Sequence, residues 1–157
     1  MSVETTLRIL EMPKDIPAPF VSFHFQVPFR LLQRTQIRDL LKQLCLQEKT
    51  QIESLTYVFC SDDYLLEINQ QYLKHDFYTD IITFDLSPSK EAAVVGEIYI
   101  SIDRVRENAR GMGVTIQKEL LRVILHGALH LCGYKDKSAG EKIAMRKAED
   151  RYLALFD

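Results

Sequence analysis

The sequence predicts a single compact α/β domain with a mixed sheet of about four strands packed against helices. Three observations predict it. Short β-patterned runs are interleaved with amphipathic helical runs across the chain. One of the helical runs is apolar almost all round and so belongs in the centre. No internal repeat, low-complexity run or interdomain linker divides the 157 residues, a length that suits one domain with a real core. The whole of 1–157 is therefore taken as one domain, with 1–19 as an atypical N-terminal segment, poorly patterned and carrying Pro13, Pro17 and Pro19.

The elements follow in order. From Phe20 to Val27, Val21, Phe23, Phe25 and Val27 share one face, and His24 lies on the polar face of this half-buried strand. Ile37, Leu40, Leu41 and Leu44 recur at helical spacing, predicting a helix over 34–48. Leu55 to Cys60 is a second strand. Ser61 before Asp62 and Asp63 is an N-cap with acidic residues at the positive end of the dipole, so a helix is expected over about 62–72. Ile81–Leu86 and Val94–Ser101 are two further strands, separated by a Pro/Ser loop. A short helix over Asp103–Arg110 is punctuated by Gly111 and Gly113. Thr115 caps a long helix to Leu131. Ser138-Ala139-Gly140-Glu141 has the form of a capping box and starts a last helix to about Leu155.

Charge and cysteine content narrow the function classes. The net charge is −2, so the molecule is no polycation. Residues 1–103 carry 9 Lys/Arg against 15 Asp/Glu, and residues 104–157 carry 11 against 7. A phosphate-bearing substrate would favour the basic half, although helix-rich segments carry solvated charge in any case. Cys45, Cys60 and Cys132 are odd in number, form no Cys-x-x-Cys pair and lie in apolar segments, which reads as reduced packing residues of a cytoplasmic protein. The sequence contains neither a stretch that would span a membrane nor a signal-peptide pattern.

The chemistry concentrates in residues 126–136. His126 and His130 stand four apart in the apolar helix, so both imidazoles share a face. Gly133 can end the helix in a left-handed turn and swing Asp136 back toward them. His126, His130 and Asp136 would then hold one metal ion and leave a fourth position open, the construction of a catalytic zinc site. Two neutral imidazoles in an apolar helix are costly to bury without a partner, and a metal would satisfy both. Zinc peptidases of the His-Glu-x-x-His type place their general base straight after the first histidine. Here that residue is Gly127, which weighs against a small metallopeptidase and in favour of another electrophile, such as a phosphodiester.

The run His126-Gly127-x-Leu129-His130-Leu131-x-Gly133-Tyr134 resembles the YbeY family of bacterial endoribonucleases. Asn69-x-x-Tyr72 followed by Thr79-Asp80-Ile81-Ile82-Thr83-Phe84, the strand Gly96-Glu97-Ile98-Tyr99-Ile100-Ser101, and Glu141-x-x-x-Met145 are similar to three further blocks of that family, in the same order. The resemblance runs from about residue 55 to 150. It implies a compact fold with a zincin-like metal helix, a Zn2+ cofactor and single-strand-specific endoribonuclease activity. The implied role is ribosomal RNA processing, including the 3′ end of the small-subunit RNA, and ribosome biogenesis and quality control. The implied partners are ribosomal RNA, the small ribosomal subunit and assembly factors, in the cytoplasm and without a membrane.

Three positions depart from the family pattern. Asp136 stands where the family has a third histidine, Lys135 where it has an aspartate, and Leu73 where it has an arginine assigned to RNA cleavage. Lys74, beside Leu73, is the candidate phosphate contact, as a point charge without a bidentate fork. A non-catalytic ribosome-assembly factor with a structural metal site is the alternative these departures favour. Other residues take plainer roles. Tyr134 packs at the helix end or stacks on a base. Met145 is core, His75 is solvated surface, Glu97 is the exposed face of its strand, and Cys132 packs. Asp80 either supports a turn or contacts a metal ligand from behind.

Overall fold

The computed structural model describes residues 20–156. The element order is β1 (Phe20–Phe25), α1 (Arg34–Gln47), β2 (Ile52–Cys60), α2 (Asp62–Leu73), β3 (Ile81–Asp85), β4 (Val94–Ser101), α3 (Ile102–Met112), α4 (Ile116–Leu131) and α5 (Ala139–Phe156). The predicted elements are all present. β2 begins at Ile52 rather than Leu55, and α3 takes Gly111 into its last turn while Gly113, at φ 66°, forms the left-handed cap. The poorly patterned N-terminal segment expected over residues 1–19 lies outside the described residues.

The four strands form one mixed sheet in the order β1-β2-β4-β3. β1, β2 and β4 run parallel, joined by helical crossovers, and β3 pairs antiparallel with β4 at the edge. Alternation divides the sheet into two faces. Leu55, Tyr57 and Phe59 of β2 and Ile98 and Ile100 of β4 enter the main core with α1, α3, α4 and α5. Cys60, Ile82, Phe84 and Tyr99 meet Leu65 and Ile68 of α2 in a smaller cluster. Glu97 is half-buried and accepts a hydrogen bond from Tyr99 Oη, so it is less exposed than its strand position suggests.

α4 is the central helix, as its all-round apolarity predicts. Thr115 caps it by accepting from Lys118 N at 3.1 Å, and Tyr57 Oη donates to the Ile124 carbonyl at 2.9 Å from the sheet. Gly127 sets how closely helix and sheet approach. A Cβ there would stand 3.0 Å from both Ile81 Cδ1 and Ile98 Cγ2. Position 127 thus faces β3 and β4, and there is no room for the side chain a peptidase base would need. At the start of α5 the capping box closes reciprocally: Glu141 N donates to Ser138 Oγ at 3.1 Å and Ser138 N to Glu141 Oε1 at 2.9 Å. Met145 is buried in the core, and His24 is exposed on β1.

Candidate metal centre and its cleft

The site is built from the last three turns of α4 and the turn that follows. Arg122, His126 and His130 recur every four residues and so lie along one helix face. After the helix, Gly133 adopts φ 101°, a conformation that side-chain-bearing residues rarely take. Tyr134 N then donates back to the Leu129 carbonyl at 3.1 Å, and the chain reverses. The reversal brings Asp136 Oδ2 to 3.2 Å from His126 Nε2 and 3.2 Å from His130 Nε2, while the two Nε2 atoms are 3.0 Å apart. For a tetrahedral ion with bonds of about 2.0–2.1 Å, two donor atoms are separated by about 3.3–3.4 Å. The three atoms therefore already stand at nearly the spacing one ion requires, and the structure brings together all three residues read from the sequence.

The outer ring nitrogens decide which way the lone pairs point. His130 Nδ1 donates to the Tyr134 carbonyl at 2.9 Å. A carbonyl can only accept, so that nitrogen carries the proton and a neutral ring keeps its Nε2 lone pair for the site. His126 Nδ1 faces Glu149 Oε2 at 3.4 Å, and the same reasoning applies. Two imidazole lone pairs and a carboxylate oxygen then converge on one point with no donor between them, an arrangement that a cation stabilises.

Glu149 is the residue that the sequence reading missed. It is 2 % exposed and bridges His126 to Arg122, whose Nη1 donates to Glu149 Oε1 at 2.8 Å. Arg122 also forks onto the buried Glu119, with Nε donating to Oε2 at 2.9 Å and Nη2 to Oε1. Burial alone would raise the Glu149 carboxyl, but hydrogen bonds from His126 and Arg122 outweigh it and hold the group below its ordinary 4.5. Burial alone would lower His126, but the bond to Glu149 and the charges of Glu149, Asp136 and Asp80 outweigh it and raise the ring above 6.5. A signal for Glu149 did exist. It lies within the Met145, Ala148, Tyr152 stripe, a carboxylate in the buried face of α5.

A cleft of about 530 Å³ opens onto the two histidines and Asp136. Its opposite wall is the edge strand β3, with Asp80, and the end of α2, with Asn69 and Leu73. Asp80 lines the cleft, its carbonyl accepts from Ser101 N at 2.9 Å beside the β3–β4 pairing, and its charge acts on His126 from a distance. Leu73 lines the cleft, whereas Lys74 is exposed beside it as the left-handed C-cap of α2. Tyr134 packs, as one of its readings had it: its Oη donates toward Glu48 at 3.2 Å, in a group with Tyr152 and Arg151. Cys132 is half-buried, its thiol pushed up to about 11 by burial, with Thr50 and Glu48 as neighbours. It is a neutral packing residue.

A helix that presents two histidines, a glycine turn that returns a carboxylate, and a cleft open to solvent make an α/β fold with a cluster that could hold one metal ion, the arrangement found in metal-dependent hydrolases. A family model described as Endoribonuclease YbeY matches residues 25–157, and the chain belongs to that family. It is 47% identical over 136 residues to the endoribonuclease YbeY of Flavobacterium psychrophilum, covering 87% of this chain and 96% of the relative. It is 50% identical over 133 residues to the endoribonuclease YbeY of Cytophaga hutchinsonii, covering 85% and 92%. Among solved structures, the solution structure of TM1509 from Thermotoga maritima aligns with a TM-score of 0.63 and 28% identity, over 87% of this chain and 89% of that one.

Proposed function

We propose that this chain is a zinc-dependent, single-strand-specific endoribonuclease. Its proposed role is ribosomal RNA processing, including the 3′ end of the small-subunit RNA, and ribosome biogenesis and quality control. Its proposed partners are the small ribosomal subunit and assembly factors. The observation that carries the reading is the convergence of His126 Nε2, His130 Nε2 and Asp136 Oδ2 within 3.2 Å of one another, in a chain of the YbeY family. Two nitrogens and one carboxylate oxygen with an open fourth vertex suit zinc. When bound, the ion supplies Lewis acidity toward water and the phosphodiester.

The chain's own residues have defined tasks in this reading. Glu149 and the Tyr134 carbonyl orient the two rings so that Nε2 faces the cleft. Arg122 pairs with the buried carboxylates of Glu119 and Glu149. Lys74, exposed beside the Leu73 that lines the cleft, is the proposed phosphate contact, offering a point charge rather than a fork. A cytoplasmic setting is proposed from the three free thiols, Cys45, Cys60 and Cys132. Among the described residues no helix is long and apolar enough to cross a membrane.

The test is cleavage of single-stranded ribosomal RNA by purified protein with and without a chelator, together with elemental analysis of protein prepared without added metal. Loss of cleavage on chelation and recovery with zinc are expected. Equal cleavage in both samples would reject the metal role, and nickel, iron or manganese in place of zinc would reject the assignment of the ion. The second reading, a non-catalytic assembly factor with a structural metal, draws on Leu73 and Lys135 at family positions of other chemistry. It predicts that His126→Ala leaves rRNA maturation intact while surface charge reversals do not.

A further inference from the structure

The loop after α2 carries exposed aromatic side chains on the lip of the metal cleft. Phe77 is 56 % exposed, and its ring lies on that of the exposed His75, with centroids 5.1 Å apart and planes 23° from parallel. Both side chains line the cleft that contains His126, His130 and Asp136. A single exposed phenylalanine is ordinary on a surface; this one is distinguished by being held at the cleft. The backbone beneath it is pinned. Asn69, 1 % exposed, donates from Nδ2 to the Phe77 carbonyl at 2.8 Å, and its own carbonyl accepts from His75 N at 3.1 Å. Gln70 Nε2 donates to Asp76 Oδ1 at 2.7 Å. The neighbouring Tyr78 is engaged elsewhere, with its ring under the Arg104 guanidinium at 5.4 Å and its hydroxyl toward Asp63. The pair His75 and Phe77 therefore stands as a held, flat platform aimed at the cleft.

The other side of the metal centre has a different chemistry. A second groove of about 390 Å³ shares His130 and Asp136 with the first and is lined by Lys135, Lys137 and Glu141, whose carboxylate is taken up by Ser138 N in the capping box. The first cleft's wall is acidic, with Asp80 and Asp85, and its one arginine, Arg122, is already held by Glu119 and Glu149. Its lip thus offers π-faces with the cation of Lys74 beside them, and the far groove adds two lysines. A single strand needs both: bases present π-faces only when unpaired, and phosphates need cations. We propose that the His75–Phe77 platform is a base-stacking subsite for single-stranded RNA, with the strand crossing the metal centre toward the lysine groove. The inference rests on the endoribonuclease reading and gives that site its preference for unpaired strands. Stacking tolerates any base, so the subsite selects strandedness rather than sequence.

The test uses the full chain with its metal and a short 2′-O-methyl single-stranded oligonucleotide carrying one 2-aminopurine, whose fluorescence is quenched on stacking. Phe77→Ala should weaken binding roughly 5- to 150-fold and relieve the quenching, and Phe77→Trp should retain both. The side chain is exposed, so thermal melting of Phe77→Ala should match the parent. Lys135→Ala with Lys137→Ala should instead flatten the salt dependence of binding and leave the quenching in place. Unchanged affinity and quenching in Phe77→Ala, or a Phe77→Leu variant as good as the parent, would overturn the platform while leaving the nuclease reading standing. A parent protein that neither binds nor cleaves single-stranded RNA would overturn both.

Discussion

Replacing Glu149 by glutamine tests whether the buried network behind the metal centre sets its affinity. The amide keeps the shape of the carboxylate and removes its charge. Arg122 keeps its fork on Glu119, through Nε at 2.9 Å and through Nη2, so the guanidinium is not left alone. Full removal of one partner from a buried ion pair costs about 3–5 kcal/mol, and with Glu119 still in place the glutamine variant should lose only about 1–3 kcal/mol. The larger effect falls on the ion. Glu149 Oε2 is the acceptor for His126 Nδ1, and a neutral amide holds that ring less firmly and leaves Nε2 less basic. Loss of such an orienting group lowers metal affinity by about 10- to 100-fold. Zinc affinity would be read by competition with a chromophoric chelator, and the thermal melt would be taken with and without zinc, since an ion that binds only the folded chain raises the melting point by mass action. An affinity within about twofold of the parent would refute the reasoning, because the network would then be structural only.

Acidification should expose the same network in metal-free protein. The Glu149 carboxyl is held below 4.5 in the fold, so its contribution to stability is present above that value and is lost as pH falls through the depressed folded value; the melting point of Glu149→Gln should therefore fall less steeply in acid. His126 is raised above 6.5, so its stabilisation of metal-free protein is complete below that value and fades as pH rises through the folded one, and protons compete with the ion at higher pH than for a free imidazole; zinc titrations across pH should show affinity falling from above 6.5 downward. Gly133→Ala meets no steric neighbour but must hold φ near 101°, which should cost about 1–3 kcal/mol in the melt and weaken zinc binding by displacing Asp136. Gly127→Ala places a Cβ 3.0 Å from Ile81 and Ile98, so chemical denaturation should show a loss of about 1–3 kcal/mol as α4 is pushed from the sheet.

What could be read from the sequence was local in chain distance. Thr115, Ser61 and the Ser138–Glu141 box mark helix starts because a cap acts within one turn, and the structure has each of them accepting the expected backbone N–H. His126, His130 and Asp136 were legible for the same reason: helical periodicity aligns the two rings, and a glycine turn returns the aspartate within six residues. The contacts behind them come from far along the chain. Arg122 and Glu149 are 27 positions apart and meet only because α5 packs on α4. The order β1-β2-β4-β3, which leaves β3 at the edge as a wall of the cleft, depends on which strands pair, and strand patterning fixes faces rather than neighbours. His75 read as solvated surface because solvation is all that a polar loop residue declares; its stacking on Phe77 at the cleft lip exists only once Asn69 is buried beneath the loop. Sequence alone thus determined the elements and the meeting of His126, His130 and Asp136, since short-range geometry is enough for both. Packing between distant segments decided the charges that hold the triad, the wall that faces it and the aromatic lip of the cleft, because burial and long-range pairing arise only when the whole chain has folded.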